Sequence, residues 1–185
     1  KFTFFEEITK VFAVSDNEAS TNLLEFIGFD YLNESMISKG LKPFRVSHRL
    51  SGKNPRDLRT KPITLYKNNG TVLNQLSISN KPIVPLNINN LKKGIGYIKN
   101  DTLIHKPLDF SIKNYYPLKT LHNTMKRIIF PEKFRKSERF AISKEAREFI
   151  LSSMQNLPKN VGYNATEYYD GYCKFFMFGD TKENI

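Results

Sequence analysis

A short polar turn, Val14-Ser15-Asp16-Asn17, joins two stretches that each carry an apolar stripe at helical spacing, and it constrains this chain more than any other feature. Upstream, Thr3 and Glu6 have the spacing of a capping box, and Phe4, Phe5, Ile8, Val11 and Phe12 recur at helical intervals. Downstream, Ala19, Leu23, Leu24 and Ile27 form a second stripe that Gly28 ends. Helices over residues 3–13 and 18–27, each burying one face, would hold the turn from both sides. In a three-residue turn the two outer side chains can share a direction while the middle one takes the other. Ser15 and Asn17 are therefore expected at a cleft, with Asp16 turned inward onto backbone N–H groups. A hydroxyl beside an amide suits a proton relay next to a donor for a substrate carbonyl. The spacing Ser15-x-x-Glu18 also fits a capping box, which would make the turn no more than a helix start.

A third helical pattern follows, with Asp30 as N-cap, Tyr31, Leu32, Met36 and Ile37 apolar, and Gly40 as the stop. Residues 41–61 have no periodicity and read as a loop. From 62 to 106 the pattern changes. Pro62–Tyr66 and Thr71–Ser79 alternate apolar with polar around the turn Lys67-Asn68-Asn69-Gly70. A second hairpin reads Gly96–Lys99, Asn100-Asp101, Thr102–His105. Gly94-Ile95-Gly96 lacks the further glycine and helix start of a phosphate loop. Helix returns at Pro117 with the stripe Leu118, Leu121, Met125, Ile128 and Ile129, ended by Pro131. Ser143 then caps a helix with Ala146, Phe149, Ile150, Met154 and Leu157 on its apolar face, stopped by Pro158. The fold class read from this order is α+β, mainly α, in one domain: 1–61 helical with a loop, 62–106 a β-rich insertion, 107–185 a late helix pair and an aromatic tail.

Composition narrows the function. A hydrophobic content of 39% with 25% charged residues describes a globular chain, and no apolar run approaches the ~20 residues of a membrane span. Lys1 leads straight into an amphipathic helix, so no signal peptide is read. The net charge of +11 raises nucleic-acid binding. Lys and Arg are nevertheless spread through every segment, densest at 42–61 and 126–139, without an RNA-binding, zinc-finger or basic-zipper signature, so nucleic acid is disfavoured as a partner. Cys173 is the single cysteine and is read as a buried small hydrophobe in a packed Tyr/Phe tail. It leaves no internal disulfide and no cysteine zinc site. His48, His105 and His122 share no ligand spacing, so neither a metal nor a cofactor is expected.

The run Phe12–Leu24, followed by Gly28 and by Gly40-Leu41, resembles the Ser-Asp-Asn segment of class A β-lactamases and related penicillin-binding serine hydrolases. The late pair, residues 118–130 and 143–157, is similar to the pair that closes the helical domain of those enzymes. The resemblance implies that Ser15 passes a proton to the leaving nitrogen, Asn17 binds the substrate's side-chain amide, and Asp16 is structural. It implies β-lactam or peptidoglycan-type amides as substrates and a periplasmic or secreted location. In the loop His48–Leu58, counting from Arg49-Leu50 puts the family's deacylating Glu on Asn54, and an amide is not a general base. Asp57 is the one carboxylate of that loop, either a substitute base or an ion-pair partner of Arg56 or Arg59. No Ser-x-x-Lys occurs, Thr64-Leu65-Tyr66-Lys67 being the nearest, and no Lys-Thr-Gly; Lys92-Lys93-Gly94 lies in the wrong place. The expectation is thus the helical domain of a two-domain hydrolase, with the α/β domain outside these residues and an apolar face left for that domain or for a homodimer. Alternatives are a non-catalytic penicillin-binding relative and a basic module that binds polyanions.

Overall fold

The computed structural model describes residues 2–82, 85–169 and 172. Cys173 and the aromatic tail beyond it lie outside the described residues, as do Asp170 and Gly171. The architecture is α+β. Helices α1 (Phe4–Val14), α2 (Asn17–Ile27) and α3 (Phe29–Ser38) come first, then strands β1 (Ile63–Tyr66), β2 (Val72–Gln75), β3 (Lys92–Lys93), β4 (Tyr97–Lys99), β5 (Thr102–Ile104) and β6 (Leu108–Asp109). Helices α4 (Leu118–Ile129) and α5 (Lys144–Ser153) follow, with short 3-10 turns at Pro131–Lys133, Lys136–Glu138 and Pro158–Val161.

Local capping chemistry sets most helix starts. The Thr3 hydroxyl accepts from the Glu6 N–H at 3.1 Å while Glu6 Oε2 accepts from the Thr3 N–H at 2.8 Å, a complete capping box. Ser143 caps α5 by accepting from Ala146 N–H at 3.1 Å. The cap of α2 is Asp16 and not Ser15, because Asp16 Oδ1 takes the Ala19 N–H at 2.8 Å. The residue before α3 is Gly28 and not Asp30, which instead accepts the Lys81 backbone N–H at 2.9 and 3.1 Å. Gly28 has φ +79° and packs so close to Asn80 that a Cβ would come 3.3 Å from its Oδ1. Both the dihedral and the space call for glycine there.

The β-region is three separate antiparallel pairs. Strand β1 pairs with β2, Ile63 opposite Gln75 through Tyr66 opposite Val72, so the second expected strand ends at Gln75 and does not reach Ser79. Strands β4 and β5 form the expected hairpin, with Asn100 and Asp101 both left-handed (φ 48° and 57°), the dihedrals of a tight two-residue turn. Strand β3 with β6 is a ladder that the sequence pattern does not signal.

The buried centre is Met36, Leu41 and Phe44, with Leu32, Val46 and Phe140 packed on it. Helix α1 meets α5 through an edge-on Phe5–Phe149 pair 4.5 Å apart. Its apolar stripe is not fully covered, however, since Phe5 is 63% exposed and Phe4 and Phe12 are also exposed. The buried side chains of α1 are Glu7, Ala13 and Val14. Glu7 binds Lys10 Nζ at 2.9 Å and Asn22 Nδ2 at 2.8 Å, which latches α1 to α2 below the turn.

Candidate functional site

The turn between α1 and α2 is built by its backbone. Ser15 closes α1 in the left-handed region (φ 53°, ψ 48°), and its N–H returns to the Val11 carbonyl at 3.0 Å. A non-glycine residue pays roughly 1–2 kcal/mol for that conformation. Asp16 then starts α2 with an extended backbone and its half-buried carboxylate on the Ala19 N–H. Ser15 and Asn17 are both exposed, on either side of that inward-turned Asp16. Tyr163, which follows the 3-10 turn Pro158–Val161, lies within electrostatic reach of this corner. Burial first, and then the Asp16 carboxylate, pushes its phenol pKa above the ordinary value. Nothing in the local sequence links Tyr163 to residue 16, since the approach is made by the packing of that 3-10 turn on α1.

Two predictions arise from this geometry. Asp16→Ala removes the cap and is expected to cost about 1 kcal/mol, readable in urea unfolding. Ser15→Gly relieves the left-handed strain while adding backbone entropy to the unfolded chain. It should leave stability unchanged or raise it by up to ~1 kcal/mol, a shift of about 2–4 °C in melting temperature. A clear fall in melting temperature would show that the Ser15 hydroxyl holds the fold together.

Beyond the turn, α2 forms one wall of an open cleft of about 560 Å³. Glu18, Thr21 and Asn22 line it from the helix, and Ser51, Asn54 and Asp57 from the loop opposite. Ser15 and Asn17 stand outside these walls; the lining begins at Glu18, one residue further on. Asn54 and Asp57, expected in a loop near the Ser-Asp-Asn segment, are thus brought to the same cleft as α2.

An ion pair that the sequence reading missed fixes that loop. Arg49 and Glu25 are buried, with Arg49 Nε 2.6 Å from Glu25 Oε1 and Nη2 3.1 Å from Oε2. The guanidinium also donates to the Asp57 carbonyl, donates to the Arg59 carbonyl at 2.7 Å, and lies over the Phe29 ring at 5.3 Å. Glu25 takes the Lys61 N–H at 2.7 Å. Burial raises the Glu25 pKa, but the Arg49 hydrogen bond, the Lys61 N–H and the two cations outweigh it, so the carboxyl sits below its ordinary 4.5. Ser51 adds a second tie, its N–H and hydroxyl reaching Thr21 Oγ1 at 3.2 and 2.9 Å. One signal for the pair was present. Glu25 stands in the last turn of α2, the end of a helix dipole that disfavours a carboxylate unless a cation answers it.

Asp57 forms no ion pair with Arg56 or Arg59 among the described residues, and its Oδ1 accepts the Arg59 backbone N–H at 2.9 Å. The amide of Asn114 holds the start of the loop. Its Oδ1 accepts from Ser47 N–H at 2.7 Å and His48 N–H at 3.1 Å, and its Nδ2 donates to the His48 carbonyl at 3.0 Å. Among the described residues no three His, Cys, Asp or Glu are grouped to hold a metal ion. No helix among them is long and apolar enough to cross a membrane. No family model, curated protein or solved structure matches the chain.

Proposed function

We propose that this chain is the helical portion of a penicillin-recognising serine hydrolase and contributes the Ser-Asp-Asn element to an acyl-transfer site. The observation that carries the reading is the turn itself. Asp16 is spent on the helix cap, whereas Ser15 and Asn17 flank it exposed, the serine in a backbone conformation that costs energy. The left-handed backbone of Ser15 also serves to end α1, so the support for a functional role is the exposure of two polar side chains on one turn. The loop expected to hold the deacylating group shares a cleft with α2, and the exposed phenylalanines of α1 leave an apolar face for a partner domain.

In the proposed step a serine hydroxyl from outside these residues attacks the amide or β-lactam carbonyl. The tetrahedral adduct collapses, the C–N bond breaks, and the leaving nitrogen takes its proton from Ser15 Oγ. Ser15 is reprotonated by the base that deprotonated the nucleophile. Asn17 donates from Nδ2 to the carbonyl of the substrate's side-chain amide. Asn54 has no proton-accepting carboxylate, so hydrolysis of the acyl-enzyme is slow and the adduct persists. Incubating the full protein with a labelled penicillin and measuring intact mass tests this. A stable adduct on a serine outside residues 1–185 is expected, and no adduct after prolonged incubation would overturn the assignment.

A further inference from the structure

Arg45 is a buried cation with an unfilled donor. It is 4% exposed, and no described carboxylate pairs with it. Its backbone exchanges hydrogen bonds with Tyr115 at 2.9 and 2.7 Å, which fixes the side chain's origin. Nε and Nη2 both donate to the Lys113 carbonyl, at 3.2 and 2.8 Å. Nη1 is buried and has no hydrogen-bond partner among the described residues. A buried guanidinium answered by a single carbonyl is costly, and burial pushes its pKa down from the ordinary value.

Arg45 helps line two cavities. The one of about 260 Å³ also holds Asp30 and Glu34, but Lys81 already occupies both. Its backbone N–H is bound by Asp30, and its Nζ lies 2.8 Å from Glu34 Oε1. The other, about 190 Å³, is lined by Arg45, Ser47, Arg56, Pro85, Ser111 and Ile112, with no acidic side chain in its walls. Asp109 lies near in sequence, bound to the Ser111 N–H at 2.8 Å, and is not among the lining residues. The Ser47 hydroxyl donates to the Ile112 carbonyl at 3.0 Å, so its oxygen keeps no second proton to offer. The Ser111 hydroxyl is likewise engaged, by the Asp109 carboxylate, so the donors left to a guest are the two guanidinium groups.

We propose that this second cavity binds one small oxyanion group, a carboxylate or a phosphate, with Arg45 as the buried cation and the exposed Arg56 at its mouth. A planar guanidinium fork matches either oxyanion. The volume is below that of a typical whole-ligand pocket, which suits a single charged group. The inference does not depend on the role assigned to Ser15 and Asn17.

Calorimetric titration of the full protein with inorganic phosphate and, separately, with acetate tests it, at ionic strength held constant with sodium chloride. Saturable one-site binding of at least one probe is expected, and the probe preferred assigns the class of ligand. Arg56→Gln should weaken that binding about tenfold, and Arg45→Met should abolish it. Because Arg56 is exposed, its variant decides the matter even where Arg45→Met does not fold. No saturable heat from either probe at millimolar concentration, or unchanged affinity in Arg56→Gln, would overturn the proposal.

Discussion

Ser15→Ala in the full protein is expected to slow acylation by a labelled penicillin by about 10²–10⁴-fold, the usual worth of a positioned proton-transfer group. The hydroxyl lies on an exposed residue, and the bond that closes α1 is made by the Ser15 backbone N–H, which alanine keeps. Alanine also pays the same left-handed strain, so the melting temperature should fall by no more than the roughly 2–4 °C of a ~1 kcal/mol change, far too little to account for such a loss of rate. Loss of rate without a matching loss of stability separates a chemical role from a structural one. Stopped-flow acylation of the two proteins makes the comparison, and equal rates would remove Ser15 from the proton path. Adding Ser15→Gly sharpens the test, because that variant should match or exceed wild-type stability while acylating as slowly as Ser15→Ala.

Arg49→Met is expected to cost about 3–5 kcal/mol, the range for stripping one partner from a buried pair. Glu25 would remain buried with only the Lys61 N–H, and the carbonyls of Asp57 and Arg59 would lose a donor. For a chain of this size that is a fall of roughly 6–20 °C in melting temperature. Arg49→Lys should recover only part of it, since an ammonium does not span both Glu25 oxygens in a fork. The double variant Arg49→Met/Glu25→Leu should be more stable than Arg49→Met alone, because no uncompensated charge is left inside. Thermal melts of the three variants decide this, and a double variant no better than the single one would show that the carbonyl bonds, not the charge, carry the cost. The same pair sets a pH dependence. With its folded pKa lowered, Glu25 gives its full stabilisation above the ordinary value of 4.5 and loses it as pH falls below. In Arg49→Met that acid-side decline should shrink.

What could be read from the sequence was governed by neighbours in the chain. The Thr3–Glu6 box, the Ser143 cap and the Asn100-Asp101 turn each depend on residues at most three positions apart, and all three form. The inward turn of Asp16 belongs with them. Features closed by distant residues were not legible. Arg49 meets Glu25 across 24 residues, and Asn114 reaches Ser47 across 67. The β3–β6 ladder joins two-residue strands that are too short to show alternation. The stripe on α1 misled for a different reason. Periodicity shows which side chains share a face, not whether anything covers it, and Glu7 rather than Phe5 is the side chain sealed against α2. At the candidate site only the inward turn of Asp16 followed from local rules; Ser15 and Asn17, expected at a cleft, lie exposed outside its lining, which begins at Glu18. The cleft itself did not follow from them, because its far wall depends on how Arg49 folds the loop back onto α2.

The most direct measurement is a crystal structure of the full protein carrying a penicillin adduct. The account predicts Ser15 Oγ within about 3 Å of the nitrogen released from the acyl bond, and Asn17 Nδ2 at a similar distance from the side-chain amide oxygen of the ligand. A ligand bound covalently with both residues pointing away from it, or seated on another face of the protein, would contradict it.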